Sequence, residues 1–284
     1  TLSLARRGYE VTLADDHKEL GGRINKESIL PGMSSYRRVT DYRTNQIQQL
    51  PNVSVFLENE LQSKDVLGLG FDHVVTATGS TWELSILDEH FVPQSIDKQE
   101  GLFTPDDVLK GCELQSPVVI YDFDYYYMGG LIAEYISDMG HEVTIITPFE
   151  NISPWSFMSN EVNAIKAKMH KKNIKTITEH RISEFKNESL SLTHKVTKEV
   201  MDVDRKSLVI VGMRLPDDSL YQELNANQSL LEDSGIKTLK NIGDSNAPGA
   251  VFHAVYAGHM YANTFDSKVD ESSLEFKFEY PVIQ

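Results

Sequence analysis

Four short stretches carry residue types that can hold a phosphorylated nucleoside. Tyr9–Asp15 (YEVTLAD) has the Val, Leu and Thr content of a buried strand and ends in an acid. A carboxylate there, Asp15, can accept the hydroxyls of an adenosine ribose. Gly21-Gly22-Arg23 follows six residues later, and paired glycines let backbone approach a ligand closely. Ala77-Thr78-Gly79 comes straight after a second apolar run, Phe71–Thr76 (FDHVVT). Gly243-Asp244 closes a third run, and AVFHAVYAGHMYA then opens a helix. The first amides and the dipole of such a helix can face a phosphate or a flavin carbonyl. Each stretch alone also reads as an ordinary turn or a solvated acid. Their order, strand–acid–Gly-Gly–strand–Ala-Thr-Gly and then Gly-Asp, predicts a nucleotide-binding fold.

These loops need strands and helices to position them. Leu2–Arg7 reads as the end of a helix, capped by Gly8. Tyr36–Leu50 has helical length and a polar face, Val53–Leu57 is a short strand, and Ser63–Leu67 a short helix. A second unit opens with Thr104-Pro105-Asp106-Asp107, a helix start with Thr as cap and Pro at the first position. Pro117–Asp122 (PVVIYD), a helix over Tyr127–Met139 and His141–Thr147 (HEVTIIT) make a strand–helix–strand crossover, which implies parallel strands. Asn160–Lys172 is a charged helix. Ile174–Ile177, Arg181–Phe185 and Ser189–Thr193 read as a meander, and Ser207–Val211 as a last buried strand.

The expected fold is therefore α/β, with two Rossmann-like domains, the second inserted in the first. Residues 1–100 and 236–284 would form the first and residues 101–235 the second. Gly243-Asp244 belongs with the early nucleotide features, which is why the intervening unit reads as an insertion. The first strand and its G-x-G-x-x-G turn would precede Thr1, so the chain is expected to be an N-terminally truncated, C-terminal piece of a longer protein.

The turn of the second unit has different chemistry. Phe123-Asp124-Tyr125-Tyr126-Tyr127-Met128-Gly129-Gly130 puts acids and three tyrosines where a pyrophosphate needs glycine backbone. Asp122 and Asp124 would repel phosphate, so nicotinamide binding is expected to be lost there.

Composition narrows the partners. The 284 residues carry 27 basic and 42 acidic side chains, a formal net charge of −15. That disfavours nucleic acid and anionic membranes, whose phosphates need clustered Lys and Arg. No apolar run approaches the roughly 18 residues of a membrane span. The single cysteine, Cys112, excludes an internal disulfide and a four-thiolate iron–sulfur cluster held by this chain alone. The nine histidines are scattered, and no metal or hydrolytic constellation is expected. Asp15-Asp16 and Asp217-Asp218 read as adjacent acids whose side chains diverge.

These motifs together carry a family resemblance. RGYEVTLADDHKELGGRINKESILPGMSSYRRVTDYR, VVTATGSTW, FTPDDVLKG, VVIYDFDYYYMGGLIAEYISDMGHEVTIITP, VGMRLPDDSLY and IGDSNAPGAVFHAVYAGHMYA resemble the C-terminal half of the trimethylamine/dimethylamine dehydrogenase family, as does the terminal FKFEYPV. The family comprises iron–sulfur flavoproteins related to old yellow enzyme and 2,4-dienoyl-CoA reductase. The resemblance implies FAD/NAD(P)-binding, glutathione-reductase-like domains, with ADP (or FAD) held by the first. FMN and a 4Fe-4S cluster would lie in the missing N-terminal part. A small amine would be oxidatively demethylated at the FMN, and electrons would pass through the cluster to an electron-transferring flavoprotein. A cytoplasmic homodimer is implied.

Carried onto this sequence, the resemblance places Asp15 at the adenosine ribose and Gly21, Gly22 and Arg23 at the nucleotide. Ala77, Thr78 and Gly79 fall on its phosphate side, and Gly243 and Asp244 where the reductases hold a flavin. Without its catalytic barrel the fragment is expected to be inactive. Tyr36 and Arg38 lie where the family meets its electron acceptor. Two other readings stay open: the FAD/NADPH module of a dienoyl-CoA reductase-like enzyme, and a non-catalytic docking or assembly module.

Overall fold

Strand and helix alternate along residues 1–267, the part of the chain that the computed structural model describes. They fall into two units. One consists of Thr1–Ser28, Met33–Thr81 and the chain from Leu215 on; the other of Ile29–Gly32 and Trp82–Arg214. The divisions lie at 81/82 and 214/215, whereas the sequence placed them at 100/101 and 235/236.

The first unit begins with α1 (Leu2–Arg6). Gly8 ends it at φ +93°, where only glycine is unstrained, and its amide donates to the Ala5 carbonyl at 2.9 Å. Strand β1 (Val11–Ala14) follows, then α2 (Arg23–Glu27), α3 (Arg37–Ile47), β2 (Val53–Phe56), α4 (Ser63–Gly68) and β3 (His73–Thr76). Helix α3 buries only Ile47, as its polar composition requires. After the short β4 (Ser80–Trp82) the chain enters the second unit.

There β5 (Ser85–Leu87) and β6 (Pro93–Ser95) form an antiparallel pair. Then come β7 (Leu102–Phe103), α5 (Pro105–Leu109), β8 (Val118–Asp122), α6 (Met128–Asp138), β9 (Val143–Ile146), α7 (Val162–Lys171) and β10 (Lys175–Ile177). Helix α5 starts as its sequence dictates. The Asp107 amide donates to Thr104 Oγ1 at 3.3 Å, and Asp107 Oδ2 accepts from the Thr104 amide at 2.9 Å. Strands β11 (His180–Phe185), β12 (Ser189–His194), β13 (Val200–Asp204), β14 (Ser207–Val211) and β15 (Arg214–Pro216) complete the run.

Five of these strands make one parallel sheet in the order β10-β9-β8-β14-β7. Strands β8 and β14 are its centre, buried at every residue. Near-continuous apolar sequence is what a parallel strand covered on both faces requires. Strands β11-β12-β13 form a separate antiparallel sheet. A core of Leu102, Val119, Tyr121, Ile146, Ile182, Leu190, Leu192, Leu208 and Ile210 joins the two sheets. The meander is corrected in one respect. Ile174–Ile177 pairs in parallel with β9, and the third meander strand is Val200–Asp204.

Back in the first unit, α8 (Ser219–Asn225) and α9 (Gln228–Asp233) lead to β16 (Thr238–Asn241) and α10 (Val251–Thr264). Val66, Leu224, Leu231 and Ile236 form a small core there. The described strands of this unit make two separate parallel pairs, β1-β2 and β16-β3, rather than one doubly wound sheet. Their burial departs from expectation too. None of Val11–Ala14 is buried, and of His73–Thr76 only Thr76 is. Each of these strands has a single neighbour among the described residues. The terminal FKFEYPV and the part of the 236–284 assignment beyond Ser267 lie outside the described residues.

Candidate functional site

Three of the four sequence motifs meet in the first unit. Gly22 precedes α2 with φ +50° and ψ −122°, a conformation that glycine adopts without strain, and a Cβ there would meet nothing within 4 Å. The turn delivers Arg23 with its side chain 18% exposed. The Arg23 guanidinium donates to the Ser80 carbonyl at 3.0 Å, lies 3.3 Å from Glu27 Oε1 and 3.9 Å from Asp244 Oδ2. Ser80 Oγ in turn donates to Asp244 Oδ2 at 3.2 Å. Ser80 directly follows Ala77-Thr78-Gly79, so this bond ties the Ala-Thr-Gly turn to the Gly-Asp turn.

The Ala77–Gly79 turn is also tied from the other side. Thr78 Oγ1 donates to the Asp217 carbonyl, and the Asp217 amide donates to the Gly79 carbonyl at 3.0 Å. Ala77 and Thr78 are exposed, and Gly79 has φ +92° with open space beside it.

The Gly243-Asp244 turn is rigid because its polar groups are consumed internally. Thr76 Oγ1 donates to Asn241 Oδ1 at 2.9 Å, and so does Ser245 Oγ at 2.6 Å. Asn241 Nδ2 donates to the Ser245 carbonyl at 2.7 Å. Gly243 has φ +69°. Asp244 Oδ1 accepts from the Gly249 amide at 3.1 Å, so one carboxylate joins Ser80, Arg23 and the approach to α10.

The fourth motif stands apart. The Asp15 carboxylate is engaged locally, its Oδ1 accepting from the His17 amide at 2.9 Å, while its backbone amide donates to the Phe56 carbonyl at the end of β2 at 2.9 Å. The expected divergence of Asp15 and Asp16 is corrected. His17 Nδ1 sits 3.3 Å from Asp15 Oδ1 and in hydrogen-bond contact with Asp16 Oδ1, so all three groups converge. The sequence reading missed Glu27 and gave no role to Ser80, Asn241 and Ser245, although they lie within the motifs it singled out. Ser80 was legible as the fourth residue of its turn. Asn241 and Ser245 bond to each other within their turn, and Glu27 pairs with Arg23 one helical turn away, so these partners are local.

The corresponding turn of the second unit is filled by its own side chains. Asp122, at the end of β8, is 1% exposed. Its Oδ1 accepts from the Asp124 amide at 3.1 Å, while its Oδ2 is buried without a hydrogen-bond partner. Burial pushes its carboxyl well above the usual range, and the charge of Asp124 adds to that. The tyrosines stack rather than open a cleft. Tyr125 meets Phe149 edge-on at 5.4 Å, and Tyr126 meets Trp155 at 5.7 Å. Tyr125 remains 46% exposed.

A carboxyl held neutral in the fold and free to ionise in the unfolded chain has a defined pH signature. Its favourable contribution is complete below the unfolded carboxylate range and is lost as pH rises toward the raised folded value. Asp122→Asn, which keeps the acceptor for the Asp124 amide, is therefore expected to flatten the decline of Tm as pH rises above the ordinary carboxylate range and to melt above the parent at the alkaline end. Parallel pH slopes for the two proteins in a calorimetric melt would refute this.

Comparison with known proteins places the chain. Residues 103–206 match the family described as the OYE-like second alpha/beta domain. Dimethylamine dehydrogenase of Hyphomicrobium sp. (strain x) is 25% identical over 303 aligned residues, covering 97% of this chain and 41% of the relative. The structure of histamine dehydrogenase from Rhizobium sp. 4-9 superposes with a TM-score of 0.91 at 35% identity, covering 98% of this chain and 43% of that one. The 6-hydroxypseudooxynicotine amine oxidase of Pseudomonas geniculata N1 gives 0.87 at 31% identity, covering 94% and 40%. The chain thus spans about two fifths of the length of these relatives. The expected fold class is corrected by the same findings. The second unit matches the OYE-like second α/β domain and not a Rossmann FAD/NAD(P)-binding, glutathione-reductase-like domain, and the first unit lacks a continuous doubly wound sheet among its described residues.

Proposed function

The chain is homologous to dimethylamine dehydrogenase and histamine dehydrogenase, and from that premise we propose that it is the nucleotide-holding part of an oxidoreductase that acts on a small amine. The observation that carries the nucleotide reading is the convergence of Arg23, Ser80 and Asp244 from three separate loops. ADP is the proposed ligand. Arg23 would face its phosphates, and Asp15 and Asp244 its hydroxyl-rich portion. The open space at Gly22 and Gly79 and the exposed Ala77 and Thr78 leave room for a ligand against backbone. ADP carries no redox chemistry; its role would be to hold the three loops together.

The redox groups of the proposal lie outside these residues. One cysteine cannot supply the thiolates of a 4Fe-4S cluster, so this chain does not fit that group. FMN and the cluster are proposed to sit elsewhere in the same protein, which would then deliver electrons to an electron-transferring flavoprotein. The whole protein is proposed to be a cytoplasmic homodimer. Within residues 1–267 no helix is long and apolar enough to cross a membrane.

Identification of the nucleotide released by acid from the full-length protein tests this reading. ADP, with any flavin remaining on the protein, supports it. Releasable FAD together with NADPH-dependent bleaching would overturn it in favour of a dienoyl-CoA reductase-like module. The turn filled by Asp122 and its neighbours argues against that alternative.

Helix α3 is the proposed face for the electron acceptor. Tyr36 leads into it and Arg38 is exposed on it. Arg37 is held by Glu19 at 3.0 Å and Asp41 at 3.2 Å, and Arg43 donates to the Val39 carbonyl at 2.7 Å. Reversing Arg37, Arg38 and Arg43 to Glu in the complete enzyme is expected to slow acceptor reduction by about tenfold or more at low salt, while reduction of the flavin by amine is unchanged. Stopped-flow traces of the two half-reactions separate these steps. An unaltered acceptor phase would remove α3 from the interface.

A further inference from the structure

The first turn of α10 is closed in an unusual way. Its N-cap residue is Ala250, which has no side-chain acceptor, where Ser, Thr, Asp or Asn is the rule. The acceptor comes instead from His253, three residues into the helix. Its Nδ1 accepts from the Ala250 amide at 3.0 Å. The imidazole is 7% exposed. A Cβ at Gly249 would lie 2.8 Å from that same nitrogen, so only glycine lets the chain pass so close. One residue earlier, the Gly249 amide donates to Asp244 Oδ1. Consecutive amides are thus clamped by Asp244 on one side and His253 on the other.

We infer that His253 is a positioning residue: its neutral imidazole closes α10 and fixes the Gly243–Ala250 loop in the shape that presents Asp244 to an adenine nucleotide. The ligand part rests on the nucleotide reading above; the loop part does not. An Nδ1 that accepts an amide cannot carry a proton, so the clamp opens when the ring is protonated. Glu or Gln at this helix position supplies the same acceptor in ordinary capping boxes. His253→Gln therefore keeps the clamp without the titration, and His253→Ala removes it.

Among the described residues, the following charged and titratable groups lie on the elements around His253. Asp244 lies on the turn packed against α10, with Arg23 and Glu27 behind it. Tyr256 and His259 follow on α10 itself, and Arg7, just after α1, donates to the Ala262 carbonyl of α10 and pairs with Asp266. His259 is the competing imidazole, 3.2 Å from Ser3 Oγ, so His259→Gln serves as the control.

Hydrogen exchange of residues 244–252 in the full-length protein, expressed as protection factors at about pH 8 and about pH 5, is the test. The parent is expected to lose roughly fivefold or more of its protection at the lower pH. His253→Gln should hold its protection at both, and His253→Ala should be low at both. His259→Gln should behave like the parent. Equal protection in the parent and His253→Ala, or loss of the pH response in His259→Gln, would overturn the assignment. Calorimetric titration of the same proteins with ADP separates the two claims. Affinity that follows protection supports both. The stated protection pattern with no ADP binding by any variant would sink the nucleotide reading and leave His253 as the clamp of its loop.

Discussion

Gly129→Ala is expected to be among the most damaging single-methyl changes in the second unit. A Cβ at that position would lie 2.1 Å from both Cγ and Oδ2 of Asp122. Neither side can yield easily. Asp122 ends a strand that is buried at every residue, and Gly129 sits in the first turn of α6, whose Ile132, Ala133 and Ile136 are wholly buried. Forcing a methyl into such packing costs about 1–3 kcal/mol, and the buried carboxyl raises that toward the upper end. For a protein of this size the loss corresponds to a drop in Tm of several degrees. The collision is with one side chain, so it is reversible by design. Asp122→Ala in the same chain removes the colliding atoms. The double variant should melt above Gly129→Ala alone, although Asp122→Ala by itself leaves a hole and destabilises. The two effects must therefore be strongly non-additive. Additive losses in calorimetric melts would mean that the helix has moved and that Asp122 does not fill the turn.

Asp244→Ala should have the largest effect on nucleotide binding. A single carboxylate accepts from Ser80 Oγ at 3.2 Å and from the Gly249 amide at 3.1 Å, and lies 3.9 Å from Arg23 Nε. Hydrogen bonds to a charged acceptor contribute about 1.5–3 kcal/mol each when partly buried. Losing them frees three loops together, so ADP affinity should fall by at least about tenfold, and by more than for Asp15→Ala, whose carboxylate bonds only to the neighbouring His17 among the described contacts. Asp244→Asn keeps an acceptor for Gly249 and should sit between parent and Ala. Calorimetric titration of the full-length protein with ADP reads all three. Unchanged affinity in Asp244→Ala would show that the loops do not meet at a ligand.

The sequence by itself determined the elements whose pattern is local. Pro117–Asp122, the helix ended by Gly140 and Ser207–Val211 are continuous apolar runs or amphipathic turns closed by glycine, and such signals need no distant partner. The start of α5 was legible from Thr104, Pro105 and Asp107 alone, because a capping box is complete within four residues. The glycine turns were legible for the same reason: positive φ is a property of one residue. The resemblance to amine dehydrogenases was carried by these motifs and their order, and the homologues bear out that kinship.

Tertiary structure decided the rest. Whether β10 joined the parallel sheet or the meander depended on an edge offered by β9, thirty residues away in effect and invisible to periodicity. The fold class was misjudged because strand–helix–strand order is shared by many α/β architectures, whereas the sheet that each strand enters is a non-local choice. The site shows the same division. Arg23, Gly79 and Asp244 could be named from their turns, but Ser80 Oγ and the carboxylate it meets are 164 positions apart. His253 as the cap of α10 is a local contact of three residues, but it went unread because Ala at the cap and His three residues on are not the usual capping pair.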